Sequence, residues 1–301
     1  MRGYRLYVLD LDGTLYRGER ALPGAVDAVA ELRRRGALVR FLTNNSALTR
    51  VAVATKLQQL GFQASPEETL TSGDGAARLL IERGLKSAFV VGDPGLAETL
   101  SAAGLTLFGP LPLDGGESVS SPTAVAPAQA VANAREGGQK RAPQNSITLP
   151  LPPPIKGGVV GSAQPDAVVV GICRSLSYDL LDQAMNLILR GALFVATNRD
   201  ATYPLEDGCL SPGAGAIVAA LEACTGVSPV VVGKPEPTLI LQLLEEIGVE
   251  PEAALVVGDR VETDLEAGRR AGCDTHLVLT GVTTEPHAGQ GYSADLGGLL
   301  E

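Results

Sequence analysis

Four short segments join residues that can do chemistry to an apolar run that could hold them still. The first is Val8-Leu9-Asp10-Leu11-Asp12-Gly13-Thr14. Two carboxylates two residues apart end a hydrophobic strand, and strand alternation puts both on one face. Charge at such a place is costly unless a cation or a reacting group compensates it. Gly13 lets the chain turn sharply there. The same residues also read as a turn dipeptide behind a capping acid.

The second segment, Phe41-Leu42-Thr43-Asn44-Asn45-Ser46, brings hydroxyls, amides and adjoining N–H groups that could surround an oxyanion, or that could be ordinary helix caps. In the third, Val231-Val232-Gly233-Lys234-Pro235, Lys234 follows a strand between two residues that restrict the backbone. It offers a point cation for phosphate charge, and it also reads as a surface lysine. The fourth runs from Leu255 to Asp264, where an apolar strand ends in Asp259 and Asp264 opens the next helix. Converging, Asp10, Asp259 and Asp264 would form a hard oxygen site suited to Mg²⁺. Capping explains Asp264 equally well.

These segments need a scaffold, and the chain can supply one. It has 301 residues, 45% hydrophobic and 19% charged, enough to bury the core of one elaborated domain or two modest ones. Short apolar runs alternate with helical patterns, which predicts βαβ units on a parallel sheet. Strands are expected at residues 5–9, 38–42, 68–71, 229–232, 254–257 and 275–279. A second small sheet is expected from residues 88–92, 105–108, 167–172 and 195–197. Residues 109–165 carry 10 of the 20 prolines and no aromatic residue, so they read as a flexible insertion. Gly213-Ala214-Gly215 follows Pro212 rather than a strand and lacks a third glycine, so it reads as the opening of a helix, not a dinucleotide loop.

The composition also excludes classes of function. A formal charge of −10 repels polyanions, and aromatics at 4% without tryptophan supply few stacking platforms, so no nucleic-acid partner is expected. Four scattered cysteines and two histidines disfavour a zinc cluster and suggest reduced thiols. Asp10 interrupts what a signal peptide would need as an apolar stretch, and no long apolar run predicts a membrane span. The expected location is cytoplasmic.

In their set and order, the four segments resemble the signatures of the haloacid dehalogenase superfamily of aspartate-dependent phosphohydrolases. The wording of Thr43 to Ser46, Ala196 to Asp200, Gly233 to Pro237 and Gly258 to Asp264 is similar to its branch with a large α/β cap, which includes sugar-phosphatase, 4-nitrophenyl phosphatase and phosphoglycolate phosphatase types. The resemblance implies a doubly wound, Rossmann-like α/β core over residues 1–81 and 206–301, with an inserted α/β cap over 82–205. It implies hydrolysis of a small phosphorylated metabolite through an aspartyl-phosphate. Asp10 is then the nucleophile and Asp12 its acid–base partner. Thr43, Asn44 and Asn45 bind the phosphoryl group, and Lys234 offsets its charge. Mg²⁺ is held by Asp10, the Asp12 carbonyl and Asp259, with Gly13 and Asp264 in support. Dehalogenases attack carbon and do not need an acid at the position of Asp12, so its presence favours phosphate esters.

In the loop that leaves the cap, Asn198, Asp200 and Tyr203 are expected to face the site, Asn198 and Asp200 as ligands of the substrate or its phosphate. A homodimer through the cap is a further expectation. One departure lies in Gly171-Ile172-Cys173-Arg174, where relatives often carry an acid in place of Cys173, which keeps the substrate open. The alternatives are a signalling module phosphorylated on aspartate and a binding module without turnover.

Overall fold

The computed structural model describes residues 3–109, 164–204, 209–286 and 289–300, all within one compact unit. The proline-rich segment read as an insertion falls, but for its ends, outside the described residues.

Six strands form a parallel sheet: β1 (Leu6–Leu9), β4 (Leu38–Thr43), β5 (Thr69–Thr71), β13 (Ala254–Gly258), β14 (Asp274–Val278) and β15 (Tyr292–Ser293). Their order is β15-β14-β13-β1-β4-β5. Strand β1 is buried throughout because helices cover both sheet faces. Tyr7 and Leu9 join a cluster with Val29 and Leu32 of α1 (Ala25–Arg34) and Leu57 of α2 (Arg50–Gln59). Leu6 and Val8 pack on the other side against Leu239 and Leu243 of α7 (Thr238–Ile247) and Ala267 of α8 (Glu266–Arg270). Burial on both faces is why these strands are continuously apolar rather than alternating.

The second sheet has five parallel strands in the order β12-β9-β8-β6-β7, with β6 (Ser87–Val91), β7 (Thr106–Phe108), β8 (Ala167–Val170), β9 (Leu193–Ala196) and β12 (Val230–Val231). It too is covered twice. Leu80 of α3 (Ser72–Glu82) and Leu96 and Leu100 of α4 (Pro94–Ala102) lie on one face. Leu180 and Ile188 of α5 (Tyr178–Leu189) and Val218 and Leu221 of α6 (Ala214–Thr225) lie on the other.

Here the structure corrects the sequence reading. The four chemistry-bearing strand ends do not share one sheet, because β12 pairs with β9 through Val230–Val195 and Val231–Ala196. Lys234 therefore enters from the second sheet and the acids from the first. Two other departures are local. Residues expected to open a regular helix at Asp264 form a π-helical turn, Val261–Leu265, before α8. Two short antiparallel hairpins have no counterpart in the expected elements: β2 (Tyr16–Arg17) with β3 (Arg20–Ala21), and β10 (Thr202–Pro204) with β11 (Leu210–Pro212). Among the described residues no helix is long and apolar enough to cross a membrane.

Candidate active site

Register alone gathers the first groups. Leu9 lies level with Phe41 on one side and Val257 on the other. Asp10 thus emerges between Thr43 and Asp259, at the carboxyl edge of the sheet where the chain's path divides to either side of β1. Open parallel sheets place their ligands at such an edge. The strand ends at Leu9, but the Asp10 N–H still donates to the Val257 carbonyl at 2.9 Å, which holds its backbone on the ladder.

A cavity of about 160 Å³ opens over this edge, and its lining includes Asp10, Asp12, Thr43, Asn44, Asn45, Asn198, Asp200, Tyr203, Lys234, Asp259 and Asp264. Every expected site residue but Gly13 lines it, and Gly13 packs against Asp259 from behind. Carboxylate oxygens of Asp10, Asp259 and Asp264 lie within 4.8 Å of one another. Between them stands Lys234, whose Nζ donates to Asp10 and reaches Asp264 at 2.6 Å.

The charges bear on one another strongly. Burial, then the charge of Asp264, pushes the Asp10 carboxyl well above the ordinary carboxylate range in spite of Lys234. Burial and Asp264 likewise push Asp259 up to about 6. Burial by itself would lower Lys234, yet Asp10 and Asp264 hold its ammonium above the ordinary lysine range, so it stays charged. Asp12 keeps one side open to solvent, but the protein crowded around it raises its carboxyl, against the pull of Lys56 and a hydrogen bond from Tyr16.

Three like charges facing one ammonium fit a divalent cation with hard oxygen ligands. The donor set also divides the labour. Asp264 has both oxygens engaged, one by Lys234 and the other by the Arg260 N–H at 3.0 Å, through the π-helical turn. In Asp259 one oxygen accepts from the Val282 N–H at 2.6 Å, and the second has no donor among the described residues. Among the described residues, Asp10 meets Lys234 through one oxygen and only the distant Thr14 hydroxyl, 3.4 Å away, through the other. Among the described residues, Asp10 and Asp259 are therefore the carboxylates of this group with an oxygen left that could hold a cation, while Asp264 is spent on Lys234 and the Arg260 N–H. The Asp12 carboxylate stands outside this group; the part that the family resemblance implies for it as a ligand is through its main-chain carbonyl.

The polar residues of the second segment are more committed than their types suggest. Thr43 Oγ1 accepts from the Asn45 N–H at 3.1 Å, which leaves its hydroxyl proton to give. Asn45 Oδ1 caps the Ala47 N–H at 2.9 Å. Asn44 engages its whole amide: Oδ1 accepts from the Lys234 N–H at 2.8 Å, and Nδ2 donates to the Lys234 carbonyl at 3.0 Å and to Asp200 Oδ2 at 3.2 Å. Asn198, buried, donates to the Asn44 carbonyl at 2.8 Å and accepts from the Asp200 N–H at 3.0 Å.

Sequence reasoning overlooked Tyr16, whose hydroxyl donates to Asp12 Oδ2 at 3.3 Å and whose ring lies 4.4 Å beneath Lys56 Nζ. The signal was Gly18, at φ 58 in the β2–β3 turn, which marks a hairpin folding back over the acids. Arg174 also reaches the cavity, its guanidinium paired with the buried Asp93 and 6.0 Å from the Tyr203 ring.

Family models described as haloacid dehalogenase-like hydrolase and HAD-hydrolase-like match residues 7–106 and 231–296. The glycerol-3-phosphate phosphatase of Gallus gallus is 36% identical over 283 residues, covering 92% of this chain and 80% of the relative. A 5'-nucleotidase of Bacillus subtilis strain 168 is 32% identical over 288 residues, covering 95% and 91%. The crystal structure of a Mycobacterium tuberculosis glycerol phosphate phosphatase in complex with magnesium matches with a TM-score of 0.73 at 31% identity, covering 98% of this chain and 77% of that one. At that identity and coverage the chain belongs to the haloacid dehalogenase-like hydrolase family, as one of its phosphatases.

Proposed function

We propose that the protein hydrolyses a small phosphomonoester in a Mg²⁺-dependent reaction through a phosphorylated Asp10. The observation that carries this reading is the pairing of Asp10 with Lys234 beside Asp259 and Asp264 at the floor of one cavity. Bound by Asp10 and Asp259, Mg²⁺ would supply positive charge for the phosphoryl oxygens.

In the first displacement an Asp10 oxygen attacks phosphorus, the ester P–O bond breaks, and the departing alkoxide takes a proton from Asp12. In the second, water loses a proton to Asp12 and attacks the same phosphorus, releasing phosphate and restoring the Asp10 carboxylate. Asp12 must hold a proton at the first step, and its raised carboxyl favours that. Lys234 offsets charge on the transferring group while Thr43 offers its hydroxyl proton. These are positioning and electrostatic tasks, which dominate phosphoryl transfer. The cavity's size suits a small leaving group, which is consistent with small phosphorylated metabolites as substrates.

Phosphate release from 4-nitrophenyl phosphate, with and without Mg²⁺, tests the reading. Activity should require the metal and fall by about 10³-fold or more in Asp10→Asn. Acid quench after a ³²P-labelled substrate should leave hydroxylamine-labile label on Asp10. Label without turnover would instead indicate a phosphorylated signalling module, and absence of both would overturn the proposal.

A further inference from the structure

We infer that the side chain of Asn44 is a positioning group that fixes Lys234, rather than a phosphoryl ligand. The inference rests on the phosphatase reading and refines the task of one residue within it. A primary amide has two N–H donors and one oxygen. In Asn44 both donors are engaged, on the Lys234 carbonyl and Asp200, and the oxygen is engaged by the Lys234 N–H. Nothing is left on the side chain to donate to a phosphoryl oxygen unless one of these bonds breaks.

The clamp is rigid at both ends. The Asn44 carbonyl accepts from Ser72 Oγ at 2.6 Å and from Asn198 Nδ2 at 2.8 Å, so its backbone is tied to α3 and to the loop after β9. On the far side, a Cβ on Gly233 would sit 2.6 Å from Asn44 Oδ1 and 2.4 Å from the Thr197 carbonyl, so only glycine lets the peptide before Lys234 press onto the amide. Strand β12 ends three residues before Lys234 and belongs to the second sheet, whereas the acids that its ammonium serves belong to the first. Asn44 bridges that gap. It leaves the first sheet at the end of β4 and grips the main chain of Lys234 directly.

A double-mutant cycle distinguishes the two roles. Phosphate release from 4-nitrophenyl phosphate with Mg²⁺ is measured for wild type, Asn44→Ala, Lys234→Ala and the double variant, with thermal unfolding to confirm that each is folded. Lys234→Ala should lose about 10²- to 10³-fold in kcat, and Asn44→Ala no more than that. A residue that acts only through Lys234 has nothing further to lose once that side chain is gone, so the double variant should match Lys234→Ala within about twofold. Losses that multiply would show that Asn44 meets the substrate itself and would overturn the inference.

A second readout does not depend on turnover. In ¹⁵N-lysine-labelled protein, Lys234 is one of five lysines. Its main-chain amide resonance should move and its hydrogen exchange quicken in Asn44→Ala, with Lys56 and Lys86 unchanged. Asn44→Asp, which keeps an acceptor for that N–H, should retain the protection. An inactive wild type with this amide signature would refute the phosphatase reading and leave the clamp standing, whereas an unmoved Lys234 amide would refute the clamp.

Discussion

Lys234 and Asp264 meet at 2.6 Å with the ammonium side chain 4% exposed and the carboxylate 3% exposed. The contact makes Asp264, together with Asp10, the counter-charge that lets this lysine lie buried. Breaking such a pair by removing one partner leaves the other uncompensated, which is the costly case for buried ions. Lys234→Met should lose about 3 kcal/mol of stability in metal-free buffer. Part of that loss should return on adding Mg²⁺, because the cation takes over the neutralisation. Urea unfolding with and without Mg²⁺ checks both; a variant as stable as wild type without metal would show that the acids do not need the ammonium.

The Mg²⁺ effect should itself depend on pH. Asp259 is pushed up to about 6 by burial and Asp264, above the about 3.9 of an unfolded chain. Between those values the folded, metal-free protein binds the extra proton. Asp259 therefore contributes stability that is present below the unfolded value and is lost as pH rises through about 6. A cation must displace that proton, so it binds better above this range. At about 100 times its dissociation constant the ligand adds about 2.7 kcal/mol. Calorimetry should show a Mg²⁺-induced rise in Tm that is larger at pH 7.5 than at pH 5.0. Asp259→Asn should lose most of the rise, and equal rises at the two pH values would contradict the assignment.

The parts of the site legible in the sequence were those with a local cause. Asp10 and Asp259 each follow an apolar strand and Thr43 is the last residue of another, and a parallel sheet with β1 at its centre brings these ends level. The sheet that takes β12 was not legible. A two-residue strand with apolar neighbours fits the edge of either parallel sheet, and only the pairing with β9 decides. The commitment of Asn44 was hidden for a related reason, since its amide answers a peptide 190 residues away. A side-chain type shows what a residue can bind, while its distant partners decide what remains free.

Tyr16 and Asp12 offer a test of the β2–β3 hairpin. The tyrosine hydroxyl donates to the Asp12 carboxylate at 3.3 Å and thereby favours its ionised form. Tyr16→Phe removes that donor while the ring and its contact with Lys56 remain. The Asp12 carboxyl should then rise further, so the limb of the kcat–pH profile that reports its deprotonation should move to higher pH. KM for 4-nitrophenyl phosphate should change by less than about threefold, because the variant leaves the groups proposed to bind the phosphoryl oxygens in place. An unshifted profile would mean that the hairpin does not tune the acid.

Gly13 is held from both sides against Asp259. Its N–H donates to the Tyr16 carbonyl at 2.8 Å and its carbonyl accepts from the Thr280 hydroxyl at 2.6 Å, so the backbone cannot draw back. At φ +86, a Cβ there would stand 2.5 Å from Asp259 Oδ2, an oxygen already fixed by the Val282 N–H. Gly13→Ala should therefore do two things: strain the backbone, at about 1 to 3 kcal/mol, and displace the carboxylate proposed to hold Mg²⁺. Gly24 separates these effects, since it has φ +72 but no heavy atom within 4 Å of its Cβ position. Gly24→Ala should show the strain alone, with a lowered Tm and an unchanged Mg²⁺ requirement. Gly13→Ala should lower Tm and also need roughly tenfold or more Mg²⁺ for half-maximal activity, with kcat partly restored at saturating metal. If the two variants titrate alike with Mg²⁺, the glycine serves the turn and not the carboxylate.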